Sequence, residues 1–129
     1  MIYVSVKKQT NYPVSSPKIK KALQNFLEKE GIVSDADVSV SIVGEKKMLE
    51  LSSKYLKERK TLHNVLSFPY IDNDVDFRYP PDNLIHLGEI VLCYPKIIDE
   101  AKSEGKLIDQ KAIELAEHGA MHLLGKHHK

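Results

Sequence analysis

Four of the six histidines lie in the last twelve residues, and His118 and His122 are four positions apart. On an α-helix this spacing places two imidazoles one turn apart on one face, where both can reach one ion. Gly125 follows three residues later and can end the helix, because glycine adopts the left-handed conformation at little cost. The chain can then return His128 toward the first two rings. Because three neutral imidazoles and one open position form the ligand set of a catalytic zinc, we predict one zinc ion bound by His118, His122 and His128.

Other interpretations of these histidines stay open. A buried histidine is more often a hydrogen-bonded core residue than a ligand, and two histidines four positions apart are common in helices by chance. His127 could compete for the ion, although the spacing favours His128. The carboxylate of Lys129 could become a fourth ligand or accept a hydrogen bond from an imidazole, and a ligand this close to a chain end can fray.

The composition bounds the class of protein. The chain has 129 residues, of which 42% are hydrophobic, and a chain of this size and composition is expected to form one domain spanning residues 1–129. A net charge of +1 argues against a uniformly basic coat, so any RNA contact requires a local basic patch. The single cysteine, Cys93, fits a reducing compartment and a buried thiol. Because Met1 to Thr10 lacks a signal-peptide stretch, and no run has membrane-spanning length, we expect a cytoplasmic protein.

The hydrophobic periodicity predicts an α+β fold with the order β-α-β-α-β-β-α-α and a four-stranded sheet. The expected strands are Ile2 to Val6, Val38 to Ile42, Val65 to Tyr70 and Leu84 to Cys93. The expected helices begin at an N-cap on Ser16 with Pro17 at the first position, near Glu45, at Pro95 and at Ile108. Asp72 to Asp82 is predicted to be an acidic surface loop.

The last predicted helix, Ile108 to Leu124, is apolar over more than half of its circumference, which indicates a buried helix. His118 and His122 lie at the edge of this apolar arc, so a rigid element would hold them. Gly119 lies beside them and costs helix stability relative to alanine, which suggests either a close backbone approach or simple helix–strand packing.

Three segments together resemble a known family. The first, from His118 to His128, reads H-G-x-x-H-x-x-G-x-x-H and is similar to the metzincin pattern, except that Gly119 replaces the glutamate base. The second, Asn64 to Pro69, resembles T-[DN]-V-L-S-F-P with His63 in place of the threonine. The third, Leu87 to Cys93, resembles L-G-[DE]-I-x-[IL]-[CS]. In this order the three motifs are similar to those of the YbeY family of bacterial rRNA-maturation endoribonucleases.

This resemblance implies a zincin-like fold and a metal bound by His118, His122 and His128. It also implies single-strand-specific endoribonuclease activity in the maturation of the 3′ end of 16S ribosomal RNA and in ribosome quality control. Ribosomal RNA and the small ribosomal subunit would be the partners. In the predicted reaction, water bound to zinc attacks the RNA phosphodiester.

The family's arginine before the second motif has no counterpart at the matching position, which falls near Leu56 or Lys57. We predict that Arg59 replaces it from a shifted position as a catalytic cation, and that Glu89 is a second catalytic residue. His63 is another possible helper, and Glu89 could instead only brace the sheet. Positive charge also suits a helix C-terminus without any ligand, but we predict RNA contacts there through Lys57, Arg59 and Lys60.

Two functions of other classes remain as alternatives. One is a non-catalytic RNA-binding protein of the ribosome, in which the zinc is structural and has a fourth protein ligand. The other is a small metallopeptidase, which is less favoured because Gly119 occupies the position of the base.

Overall fold

A computed structural model describes residues 1–58, 61–70 and 84–125, and this part of the chain contains four strands and four helices. In chain order they are β1 (Ile2–Lys7), α1 (Ser16–Lys29), β2 (Ala36–Val43), α2 (Glu45–Leu56), β3 (Val65–Pro69), β4 (Ile85–Cys93), α3 (Tyr94–Glu104) and α4 (Ile108–Leu123). This order confirms the predicted α+β fold. The predicted acidic loop, Asp72 to Asp82, lies within 71–83, outside the described residues.

The start of α1 differs from the prediction by one residue. The N-cap is Ser15, whose side chain accepts a hydrogen bond from the backbone nitrogen of Lys18 at 3.3 Å, and Ser16 is already helical. The backbone nitrogen of Ser15 also donates to Asp109 Oδ1 at 2.9 Å, which joins the beginnings of α1 and α4. Two adjacent serines can both cap a helix, so this tertiary hydrogen bond favours Ser15.

The four strands form one sheet in the order β1-β2-β4-β3. The first three strands in this order run parallel, and β3 pairs antiparallel with β4 at the edge. In the register, Val40 lies between Val6 on β1 and Ile90 on β4, and Ser67 on β3 lies opposite Ile90. Of the two edge strands, β1 is therefore parallel to its neighbour and β3 is antiparallel.

The two faces of the sheet are covered by different helices. One face packs on α1 and α4 through a core of aliphatic side chains, among them Val4, Ile19, Leu23, Val40, Ile90, Leu92, Ala116 and Ala120. The opposite face packs on α2 through a smaller cluster of Met48, Leu66, Val91 and Cys93. Because side chains alternate along a strand, Ile90 faces α4 while Val91 faces α2.

The backbone of helix α4 lies directly against the sheet at Gly119. A Cβ atom at this position would lie 2.7 Å from Ile90 Cγ2 and 3.0 Å from Ser67 Oγ. The Ser67 hydroxyl donates a hydrogen bond to the carbonyl oxygen of Gly119 at 2.9 Å. The glycine therefore lets the helix backbone lie directly against β3 and β4, in agreement with the packing interpretation of this residue.

Lys111 on α4 is buried, with 4% of its surface exposed. Its Nζ donates to both carboxylate oxygens of Glu104, at 3.1 and 3.0 Å, and to Glu114 at 2.6 Å. It also pairs with Glu100 Oε1 at 3.2 Å. A buried ammonium is tolerated only when it is well paired, so this cluster joins α3 to α4.

The charges in this cluster shift one another's pKa values. Burial lowers the pKa of Lys111, but hydrogen bonds to Glu114, Glu104 and Glu100 outweigh burial and raise it above its ordinary value. Hydrogen bonds from Lys111 and then Lys106 lower the pKa of Glu104, and hydrogen bonds from Lys106 and then Lys111 lower that of Glu114.

Two predictions from the composition can be compared with the fold. Cys93 is fully buried, as predicted, and burial raises the pKa of its thiol. None of the helices in the described part of the chain is long and apolar enough to cross a membrane.

Gly119→Ala should destabilise the protein by up to about 2 kcal/mol, because overpacking at Ile90 costs about 1–3 kcal/mol and the better helix propensity of alanine offsets only about 1 kcal/mol of it. Urea unfolding followed by circular dichroism measures this change. The control is the double variant with Ile90→Ala, in which Gly119→Ala should cost less because the clashing methyl group is gone. Equal costs in both backgrounds would contradict the packing role.

Lys111→Met should lower the urea midpoint at neutral pH, because it removes the buried cation that Glu100, Glu104 and Glu114 share and leaves only Lys106 paired with Glu104 and Glu114. The lowered pKa values of Glu104 and Glu114 stabilise the fold above their ordinary value of 4.5, and this contribution is lost as the pH falls through the folded-state values. The difference in midpoint between the wild type and the variant should therefore shrink on acidification to about pH 3.

The matched control is Lys102→Met, which removes the same charge from an exposed position on α3. Its effect should be small at every pH, because an exposed charge contributes little. A difference for Lys111→Met that stays constant on acidification would contradict the assigned ion pairs.

Candidate metal centre

The two helical histidines point their Nε2 atoms at each other. His118 and His122 occupy successive turns near the end of α4, and their Nε2 atoms are 3.1 Å apart. Their ring centroids are 4.7 Å apart and the ring planes are 72° from parallel. Two zinc–nitrogen bonds of about 2.0–2.1 Å at a tetrahedral angle would separate the nitrogens by about 3.3–3.4 Å. The distance between the two Nε2 atoms is therefore within about 0.3 Å of the distance between two ligands of one zinc ion.

The histidine pair opens onto a cavity beside the edge strand. This cavity has a volume of about 260 Å³ and is lined by Asn64, Val65, Leu66, Ser67, His118 and His122. Both histidines are half-buried. The packing at Gly119 and the Ser67 hydrogen bond fix α4 on β3, so they also fix the position of the two rings relative to this strand.

Helix α4 ends as the sequence predicts. Leu124 is the C-cap, and Gly125 has a φ of 78°, with its backbone N–H donating to the carbonyl of His122 at 3.0 Å. This left-handed residue ends the helix directly after the histidine pair. The predicted third ligand, His128, and its competitor His127 lie beyond it, outside the described residues.

Other ligand types do not gather at the pair within the described ranges. In residues 1–58, 61–70 and 84–125, no group of three or more His, Cys, Asp or Glu side chains could hold a metal ion. Glu117 is adjacent to His118 in sequence, but neighbouring side chains on a helix point about 100° apart. Burial raises the pKa of Glu117, although Lys29 on α1 lowers it.

The position of the metzincin base has no room for a side chain. The absent Cβ of Gly119 would already contact Ile90 and Ser67. A glutamate in this place would require α4 to move away from the sheet. The same close packing that requires glycine at position 119 therefore excludes the glutamate base of the metzincin pattern.

The structure does not bring Glu89 to the histidine pair. Glu89 lies on β4 next to Ile90, and it points to the opposite face of the sheet from α4. Its Oε2 accepts a hydrogen bond from the Ser41 hydroxyl on β2 at 3.0 Å. This placement fits the alternative of a brace between strands, and the catalytic role of Glu89 stays a prediction.

The other predicted helpers lie between α2 and β3. Lys57 is the exposed, left-handed C-cap of α2, with a φ of 55°. His63 pairs with Glu58 through its Nε2 atom. Arg59 and Lys60 lie outside the described residues, so the predicted roles of Lys57, Arg59 and Lys60 in RNA binding stay predictions.

Sequence reasoning gave no role to Asn64, which lines the cavity with the histidines. Its Nδ2 donates to both carboxylate oxygens of Glu100 on α3, at 3.3 and 3.1 Å. The available signal was its place directly before β3, within the second motif. The partner on α3 could not be found from local sequence.

Comparison with known proteins identifies the family. Residues 4–129 match the profile of the family described as Endoribonuclease YbeY. A Thermodesulfovibrio yellowstonii protein named Endoribonuclease YbeY is 37% identical over 92 residues, which cover 71% of this chain and 54% of that protein. A Dehalococcoides mccartyi protein of the same name is 30% identical over 134 residues, covering 98% of this chain and 83% of that protein.

A solved structure supports the fold. The solution structure of a Thermotoga maritima protein matches with a TM-score of 0.61 and 24% identity, covering 100% of this chain and 75% of that one. The match extends over all elements that position the histidine pair. With the family profile and the named relatives, it shows that this chain belongs to the YbeY family of endoribonucleases.

Proposed function

We propose that this protein is a zinc-dependent endoribonuclease specific for single-stranded RNA. The observation that carries the proposal is the convergence of His118 and His122, at 3.1 Å, on a cavity beside the edge strand. Membership of an endoribonuclease family supports the RNA substrate.

The donor set fits zinc. Imidazole nitrogens suit this ion, and the spacing of the pair is close to that of two tetrahedral ligands. His128 would complete the set after the turn at Gly125. When bound, zinc would lower the pKa of a coordinated water to about 7 and polarise the phosphodiester.

The residues of the chain divide the remaining tasks. The contact at Gly119 and the hydrogen bond from Ser67 hold the two rings in place against β3. Lys57, Arg59 and Lys60 would bind phosphate oxygens, and Arg59 would supply the positive charge of the missing family arginine. This local patch is required because the whole chain has a net charge of only +1.

We place the reaction in the maturation of the 3′ end of 16S ribosomal RNA and in ribosome quality control. The partners would be ribosomal RNA and the small ribosomal subunit, in the cytoplasm. The support is the family relationship, together with the three motifs from Asn64 to Pro69, from Leu87 to Cys93 and from His118 to His128.

A peptidase is disfavoured by the packing of α4. A zinc peptidase of the metzincin type requires a glutamate base after the first histidine, and Gly119 leaves no room for one. A non-catalytic protein with a structural zinc has no such steric objection, so the test must separate metal binding from cleavage.

Protein purified without chelator should contain about one zinc per chain by elemental mass spectrometry, and it should cleave unstructured RNA until chelator is added. His122→Ala should lose both the zinc and the cleavage, because one of three ligands is gone. His86→Ala is the control, because His86 lies on β4 and pairs with Asp37 on β2, away from the cavity with the pair.

The outcomes separate the functions. Cleavage at the wild-type rate by metal-free His122→Ala protein would overturn the proposal. One zinc per chain and RNA binding without chelator-sensitive cleavage would instead establish the structural-zinc alternative.

His128→Ala should weaken zinc binding by more than about 100-fold, since loss of an outer hydrogen-bond partner alone costs 10–100-fold. His127→Ala is the matched control and should keep wild-type affinity. Competition with a chromophoric chelator measures both constants. The reverse pattern would make His127 the third ligand.

A further inference from the structure

Asn64 connects the candidate metal centre to the body of the protein. Its side chain lines the cavity that also contains His118 and His122. Its backbone carbonyl accepts a hydrogen bond from the nitrogen of Cys93 at 3.0 Å, at the end of β4. Asn64 therefore has a fixed backbone and a side chain at the place where a substrate would lie.

The orientation of the Asn64 amide follows from its partner. Both oxygens of the Glu100 carboxylate lie within 3.3 Å of Nδ2. A carboxylate can only accept hydrogen bonds, so the amide must present its NH₂ group to Glu100. The other amide atom, Oδ1, is then an acceptor, and no hydrogen bond to it occurs within the described ranges of the chain.

Glu100 is itself held in place. Its Oε1 pairs with Nζ of Lys111 at 3.2 Å, and the Lys111 side chain is only 5% exposed. Glu104 and Glu114 fix the same ammonium group from α3 and α4. The buried ammonium of Lys111 thus holds the carboxylate of Glu100, and this carboxylate orients the amide of Asn64.

This arrangement restricts what Asn64 can recognise. With Nδ2 turned toward Glu100, the other amide atom is Oδ1, and phosphate oxygens cannot bind to it because they only accept hydrogen bonds. Its free acceptor requires a donor on the ligand. In single-stranded RNA the ribose 2′-hydroxyl is such a donor, and it occurs at every nucleotide, whatever the base.

We propose that Asn64 Oδ1 accepts a hydrogen bond from a ribose 2′-hydroxyl and that Glu100 is the positioning residue that orients this amide. The inference rests on the proposed function, because it places RNA in the cavity beside the histidines. It makes Asn64 a residue that distinguishes RNA from DNA, which lacks the hydroxyl.

The test is the ratio of affinities for RNA and DNA. The zinc-loaded full chain is titrated with a short fluorescent oligouridylate and with its deoxyuridine counterpart, and the anisotropy is read immediately after mixing. Asn64→Ala should lower the RNA-to-DNA affinity ratio by about threefold to tenfold, the value of one hydrogen bond. Glu100→Gln should lower it similarly, because a glutamine no longer dictates which amide atom faces it.

Glu104→Gln is the matched control. Glu104 contacts Lys111 as Glu100 does, but it makes no hydrogen bond to Asn64. This variant should keep the wild-type ratio. The double variant Asn64→Ala/Glu100→Gln should have the ratio of Asn64→Ala alone, because Glu100 acts through the amide.

An unchanged ratio in Asn64→Ala protein that melts like the wild type would overturn the inference. An equal loss in Glu104→Gln and Glu100→Gln would also overturn it, because the effect would then come from the ion cluster as a whole. The affinity ratio measures binding and not cleavage, so the two proposals can fail separately. Wild-type protein that holds zinc without cleaving RNA would refute the nuclease, and the affinity ratio would still decide the role of Asn64.

Discussion

The close packing of α4 on β3 and β4 is the constraint on which the candidate metal centre depends. Gly119 allows the helix backbone to lie where any Cβ would meet Ile90 at 2.7 Å. At this short distance the helix carries its two histidines over the edge strand, and the Ser67 hydroxyl holds the carbonyl of Gly119. The same contact leaves no space for a glutamate base, so packing and chemistry are determined together.

The site lies at a junction between a rigid core and a sheet edge. The side of α4 that faces the core is aliphatic and buried. The last two turns of the helix also carry the half-buried His118 and His122, which face the cavity. The edge strand β3 supplies the opposite wall. Because the histidines belong to a buried helix, the rings are held by the core of the protein, as a metal centre requires.

A cluster of charged side chains on α3 and α4 lies next to Asn64, which lines the cavity. Lys111 is buried among Glu100, Glu104 and Glu114, and Glu100 connects this cluster to the cavity through Asn64. Breaking such a cluster leaves uncompensated charge in the interior, so it joins α3 and α4 strongly. The joining of these helices thereby sets the position of a side chain next to the histidines.

The sequence by itself determined the elements, the histidine pair and the family. Periodicity and caps are local properties, so α4 was predicted to within one residue of its end, and the spacing of His118 and His122 was sufficient to predict their convergence. The tertiary structure alone decided which face of the sheet α4 covers and which strand lies at the edge. This packing turns Glu89 away from the histidine pair. It also brings Asn64 within hydrogen-bonding distance of Glu100. Partners 36 or more residues apart are selected by packing, which no local pattern encodes.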